Sequence, residues 1–330
     1  MNEKIDFIIA WVDGWDREWQ MLRNKYAGKN PEDTAENRFR DWWILKYLFR
    51  WIEKFTPWVN NVFFVTCGHY PSWLNLDCPQ LKFIKHEDYI PKEYLPTFNS
   101  HTIELNFHRI KELSEYFVYF NDDMFIINHM KKSDFFEKGK PKHVAGLSAI
   151  PTENEVFGHI MLNNINLINR HFSYREVLNK NKKKWYYPWY SIRVLAQTIF
   201  LQNYPCLVWL YNSHLPNSLL KTTMNRLWWE EFDILDSSSK SKFRAETNIN
   251  QYIFSRYDIM NGNFIPRKSS VGQSYEVKNN NRILLDSIVK QKQKMICIND
   301  NSTDFEFEKA KSELINAFEK ILPEKSNFEK

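Results

Sequence analysis

The chain has 330 residues, 43% hydrophobic and 26% charged, the proportions of an ordinary globular protein able to bury a sizeable core as one large domain or two fused lobes. Its four cysteines (Cys67, Cys78, Cys206, Cys297) form no CxxC pair, which argues against a zinc ribbon, and no window approaches the roughly 20 apolar residues of a membrane span. A net charge of +5 mildly favours an anionic ligand or membrane surface, but no recognisable nucleic-acid module accompanies it, so no nucleic-acid partner is expected.

In chain order, KIDFIIAWVD reads as a short buried strand that stops at the turn signal Asp13-Gly14. The start of the chain shows no secretory pattern, because Asp13 and Asp16 interrupt its apolar stretch, and a cytoplasmic, thiol-reducing location is expected. Over residues 37–55, Phe39, Trp43, Tyr47, Leu48, Trp51, Ile52 and Phe55 recur at helical spacing, with Pro57 just past the end. NVFFVTCG and LKFIKHED read as further strands, SHTIELNFHRIKELS as a helix, and YFVYFNDD as the strand after it. Strands alternating with helices predict an α/β fold: a mainly parallel, Rossmann-like or GT-A-like sheet flanked by helices. Residues 1–140 form the first part of that core. Residues 141–275 are expected as a mostly helical or irregular inserted lobe that carries loop residues of the site, with SSSKS (237–241) an exposed loop. Residues 276–330 complete the core with a helix in NRILLDSIVKQKQ, a strand in KMICINDN and an amphipathic helix over 304–322.

Only eight glycines are present, and none makes a GxGxxG or GxxxxGK[ST], so a bound phosphate would rely on arginines and a metal ion. Three strand-like runs end in acids: AWVDG, YFNDDMF and ICIND. If these strands are parallel, Asp13, Asp122, Asp123 and Asp300 converge on one sheet edge, where open α/β folds bind ligands. Adjacent carboxylates repel and are costly to desolvate. The Asp122-Asp123 pair is therefore either a polar strand end in water or a cation site, and hard oxygen ligands suit Mg2+ or Mn2+. In LPTFNSHTIE, Ser100 suits the cap of the following helix; alternatively Asn99 and Ser100 face a ligand from its N-terminus. His214 in the loop NSHLPNS can take a proton near neutral pH, while Arg244, Arg38 and Arg40 are either phosphate clamps or solvated charges.

These stretches also carry a family resemblance. The chain resembles the Stealth-family phosphotransferases, similar to bacterial capsule and cell-wall polysaccharide enzymes and to the lysosomal-enzyme GlcNAc-1-phosphotransferase. IDFIIAWVDGWD, continuing into RFRDWWILKYLFRWIEKFTPWVNNVFFVT, resembles the first conserved region, and LPTFNSHTIELNFHRIKELSEYFVYFNDDMFI the second. HLPNS and FRAETN resemble the third more loosely, and MICIND the fourth. The resemblance implies a metal-dependent enzyme that moves a hexose- or N-acetylhexosamine-1-phosphate from a UDP-sugar to a hydroxyl of a lipid-linked oligosaccharide. A phosphodiester forms and UMP leaves, in capsule or cell-wall polysaccharide synthesis. By that likeness His214, Asp13 and Arg244 are catalytic, and Asp122, Asp123 and Asp300 hold Mg2+ or Mn2+. Arg38, Arg40, Asn99, Ser100, Glu104 and Asn121 would bind substrate. The same acids would also serve an ordinary metal-dependent GT-A glycosyltransferase that forms a glycoside and releases UDP. A non-catalytic glycan-binding protein using Trp and Tyr is a third reading.

Residues 169–193 set Arg170, Arg175, Lys180, Lys182, Lys183, Lys184 and Arg193 against Glu176 alone, beside Trp185, Tyr186, Tyr187, Trp189 and Tyr190. Such a stretch suits peripheral docking on the inner face of the cell membrane; a solvated basic loop over a partly buried aromatic patch is the alternative.

Overall fold

A computed structural model of the protein describes residues 3–28, 41–150, 155–300 and 306–330. The apolar run IDFIIA becomes β1 (Ile5–Ala10), buried on both faces, as a continuous rather than alternating hydrophobic strand should be. Helix α1 (Arg17–Tyr26) starts where the Asp16 carboxylate accepts from the Trp19 N–H at 2.7 Å. The helix expected over 37–55 is α2 (Leu45–Phe55), which starts later because Trp43 has a left-handed φ of 57°. Arg38 and Arg40 lie outside the described residues.

β2 (Val62–Thr66), β3 (Leu81–Lys85), α3 (His86–Tyr89) and α4 (Ser100–Leu105) lead to β4 (Tyr116–Asn121), which passes through Asp122-Asp123 into β5 (Met124–Ile126). Next come α5 (Lys132–Phe135), β6 (Phe136–Glu137), β7 (Lys140–His143) and helices α6 (Glu155–His171), α7 (Tyr174–Lys180), α8 (Lys182–Trp185) and α9 (Ile192–Leu201). β8 (Asn217–Leu220), α10 (Lys221–Glu230), α11 (Phe232–Lys240), α12 (Tyr252–Met260), β9 (Ile265–Pro266) and β10 (Gly272–Glu276) follow. α13 (Arg282–Val289), β11 (Met295–Asn299) and α14 (Phe307–Ile321) close the order.

The α/β class holds. The main sheet runs β3-β2-β1-β4-β8, its first four strands parallel and β8 antiparallel to β4. A second sheet, β10-β11-β5, pairs β11 parallel to β10 and antiparallel to β5. Contrary to the expectation from the sequence, the acid-ended runs therefore do not share one sheet edge. β1 and β4 end side by side in the first sheet, β11 belongs to the second, and the Asp122-Asp123 turn hands the chain from one to the other.

The helical character expected for 141–275 is present, yet β8 from this segment is an edge strand of the main sheet, so the segment is woven into the core. SSSKS is not an exposed loop. It ends α11, with Ser238 and Ser239 buried, because the Ser238 hydroxyl accepts from the Ile249 N–H at 3.1 Å and that of Ser239 from the Asn106 amide at 3.2 Å. In the aromatic run near 185, Trp185 and Tyr190 face the interior and Trp189 faces out.

Period-two alternation divides the core. Phe7, Ile9, Val118 and Phe120 pack towards α2 and α14, while Ile8, Phe117 and Tyr119 pack towards the helices of the other face. Asp6 breaks the pattern, fully buried at the start of β1. Its carboxylate accepts from Asn60 Nδ2 (2.7 Å), the Asn61 N–H (3.0 Å) and the Ser114 N–H (2.7 Å), which pins the loops before β2 and β4 to β1. Asp6→Ala should cost about 2–4 kcal/mol, since three part-buried donors lose their acceptor. Urea unfolding measures this; a loss below about 1 kcal/mol would mean water replaces the carboxylate.

Candidate active site

The main sheet runs outward from β1 through β2 to β3 and then returns to β4 on the other side of β1, which makes the β1–β4 junction a topological switch point. Past the carboxyl ends of these strands opens a cleft of about 1840 Å³. Ser100, Glu104, Asn121, Asp122, Asp123, His214, Arg244 and Asp300 all line it, so loops from distant parts of the chain meet there.

β4 buries its aromatics as far as Phe120, and the chain then emerges at Asn121. The Asp123 carbonyl accepts from the Ile298 N–H at 2.9 Å, tying the turn to β11. Asp123 Oδ2 faces His214 Nε2 at 3.8 Å, and Asp123 Oδ1 is buried without a hydrogen-bond partner. Asp122 reaches into cleft water, yet the enclosing walls strip enough solvent, with repulsion from Asp123 and Asp41 added, to push its carboxyl up to about 7. One carboxylate reluctant to ionise beside another with an orphaned oxygen is a donor set that a hard divalent cation fits.

Among the described residues, the set whose ligand atoms all come within 4.8 Å of one another is Asp123, His214 and Cys297. The expected trio of Asp122, Asp123 and Asp300 thus shares the cleft without forming a closed cage. Cys297 is buried, which pushes its thiol up to about 12, and it donates to Asn299 Oδ1 at 3.3 Å. Asp300 Oδ2 accepts from Trp42 Nε1 at 3.2 Å.

His214 has a left-handed φ of 47°, a conformation costly for a residue with a Cβ and common at functional sites. Its N–H donates to Asn212 Oδ1 at 3.1 Å, and the Tyr252 hydroxyl sits 2.9 Å from Nδ1. Tyr252 first, then Asp123 opposite, outweigh burial and hold the imidazole well above its ordinary value. Across the cleft, Arg244 Nη2 donates to Ser100 Oγ at 3.0 Å. Glu104 accepts from the Tyr119 hydroxyl at 3.2 Å, and burial pushes its carboxyl up to about 7 against the pull of Arg244.

Two expectations change place. The cap of α4 is Asn99, not Ser100: its side chain accepts from the His101 N–H at 3.1 Å. Its amide donates to Ser241 O, Phe243 O and Asn248 Oδ1, so Asn99 is fully buried and braces the loop that carries Arg244 instead of lining the cleft. Asp13 stands one residue past Val12 of the cleft wall, where it accepts from the Trp15 N–H at 2.9 Å. Its charge, after burial, helps raise the carboxyl of Asp41, which does line the cleft. Asp41 was missed although it follows Arg40 in NRFRDWW; Tyr252 had no sequence signal, since its partner is 38 residues away.

Acids, a strained histidine and an arginine gathered at the switch point of a parallel sheet define an α/β enzyme with a cleft suited to phosphate chemistry. Comparison with known proteins takes this to a family. The model described as Stealth protein CR2, conserved region 2, matches residues 38–144, and that of Stealth protein CR4, conserved region 4, matches residues 286–330. RFRDWW and the strand after it therefore belong to the second region, not to the first as the motifs alone suggested. The chain is 40% identical over 332 residues to a capsular polysaccharide phosphotransferase of Streptococcus pneumoniae, covering 99% of this chain and 98% of that one. It is 35% identical over 334 residues to a receptor polysaccharide phosphotransferase of Streptococcus gordonii, covering 100% of both chains. To an exopolysaccharide phosphotransferase of Lactiplantibacillus plantarum it is 37% identical over 330 residues, covering 99% and 96%. The protein belongs to the Stealth family and is an enzyme of the phosphotransferase type.

Proposed function

We propose that the protein transfers a sugar 1-phosphate from a UDP-sugar to a hydroxyl of a lipid-linked glycan, releasing UMP, in capsule or cell-wall polysaccharide synthesis at the inner face of the membrane. The observation that carries this reading is the Asp122-Asp123 turn facing His214 in the cleft of a chain related over its length to polysaccharide phosphotransferases.

Asp122 and Asp123, with Asp300 of the same cleft, would hold Mg2+ or Mn2+, which when bound supplies positive charge to the donor pyrophosphate. Arg244 offers a planar fork to the phosphate beside the sugar, and Ser100 steadies that fork. Glu104, poised near neutrality, can donate to or accept from a sugar hydroxyl. Were Asp123 to hold the cation, its pull on His214 Nε2, which adds to that of Tyr252, would fall. Tyr252 keeps the proton on Nδ1 and aims the ring, so that Nε2 accepts the proton of the acceptor hydroxyl. The acceptor oxygen bonds to the phosphorus next to the sugar, and the bond from that phosphorus to the UMP oxygen breaks. The anomeric C–O bond is untouched, so the sugar keeps its configuration.

Incubation with UDP-sugars, Mg2+ or Mn2+ and a lipid-linked oligosaccharide should release UMP in step with acceptor modification, read by ion-exchange chromatography. Stoichiometric UDP would instead make the enzyme a glycosyltransferase.

A further inference from the structure

The geometry points to α9, together with Trp189 before it, as a docking helix that lays the mouth of the cleft on an anionic bilayer. Val194 and Thr198 turn one face of α9 inward. The opposite face leaves Ile192, Ile199 and Phe200 in water, Ile192 at 86% and Phe200 at 83% exposure, with Trp189 and Tyr204 exposed at either end. This stripe runs for about 12 Å along the helix. Solvent-facing apolar side chains of this size on one helix face, flanked by cations and Trp or Tyr, are those of a helix that lies in a membrane interface.

Charge selects the occupant. No Asp or Glu occurs between Glu176 and Glu230, and the exposed Arg175, Lys182, Lys183 and Arg193 lie on α7, α8 and α9 in turn. α7 and α8 are fastened to the far end of the helix: Arg175 Nη2 donates to Asn203 O at 2.9 Å and the Tyr186 hydroxyl to Gln202 Oε1 at 2.6 Å. The cations and the apolar stripe therefore belong to one surface. An acidic headgroup layer over hydrocarbon matches both halves of it. The same helix also reaches the cleft, whose wall includes Arg193 and Gln197. Docking needs only these residues; its use, to bring a lipid-linked acceptor to the site, rests on the proposed transfer.

Co-sedimentation with vesicles of phosphatidylglycerol and phosphatidylcholine tests the surface without any reaction. Wild type should bind at low salt and lose binding as salt rises. Ile192→Glu with Phe200→Glu should weaken binding at least tenfold, and both side chains are exposed, so circular dichroism should be unchanged. Lys182→Glu with Lys183→Glu should weaken it about fivefold per cation removed and flatten the salt dependence. Lys184 is left in place because its ammonium donates to Gly262 O at 2.7 Å inside the fold. The proposal is overturned if wild type ignores these vesicles at low salt, or if the Ile192/Phe200 variant binds as wild type does. It is equally overturned if that variant splits an oligomer into monomers, which would assign the stripe to a second copy of the chain.

Discussion

Asp123→Asn should abolish transfer while the protein stays folded. The side chain stands outside the packing of Phe117 to Phe120, so nothing in the core depends on it. What is lost is an anionic oxygen in a cleft where a cation and a pyrophosphate must be neutralised together. Loss of one preorganised electrostatic partner costs about a hundred- to a thousandfold, and loss of the cation as well exceeds that. Asp122→Asn should be as inactive, yet its thermal midpoint should equal or exceed that of wild type, because the cost of burying the charge, first, and its repulsion by Asp123 are both relieved. The sign of the pH effect follows. Below about 7 the raised carboxyl binds a proton that competes with the cation, so stabilisation by Mg2+ or Mn2+ should be small at acid pH and grow through neutrality. Near-normal UMP release by either variant would remove that aspartate from the site.

His214→Ala should lower turnover by about a hundred- to ten-thousandfold with donor binding little changed, the loss expected for a general base. Tyr252→Phe should be slower by about ten- to a hundredfold, since it leaves the imidazole present but unaimed. Because His214 already occupies a left-handed conformation, alanine there gains no strain that histidine lacked, and the variant should fold. A rate within a few-fold of wild type would take His214 out of the proton transfer.

Much of this was legible in the sequence where a local rule governs. IDFIIA and YFVYF are continuous apolar runs with few other fates than a buried parallel strand, and two carboxylates after such a run must lie at its exit. What could not be read rests on partners distant in the chain. Asp300 follows a strand whose neighbours, β5 and β10, are set by pairing and not by its own residues, so one sheet edge was expected where two sheets meet. Ser238 and Ser239 resemble a loop until Ile249 and Asn106 supply donors for their hydroxyls. Trp185 looks like a membrane aromatic until α8 folds it inward, and the exposed apolar stripe falls instead on α9, one helix later.

The most direct test labels the donor with 18O at the oxygen that joins the anomeric carbon to phosphorus. If the acceptor attacks phosphorus, mass spectrometry should find the label in the phosphodiester product, still between sugar and phosphorus, and the released UMP unlabelled. Label leaving in UDP would show that the anomeric bond breaks, and would contradict sugar-phosphate transfer.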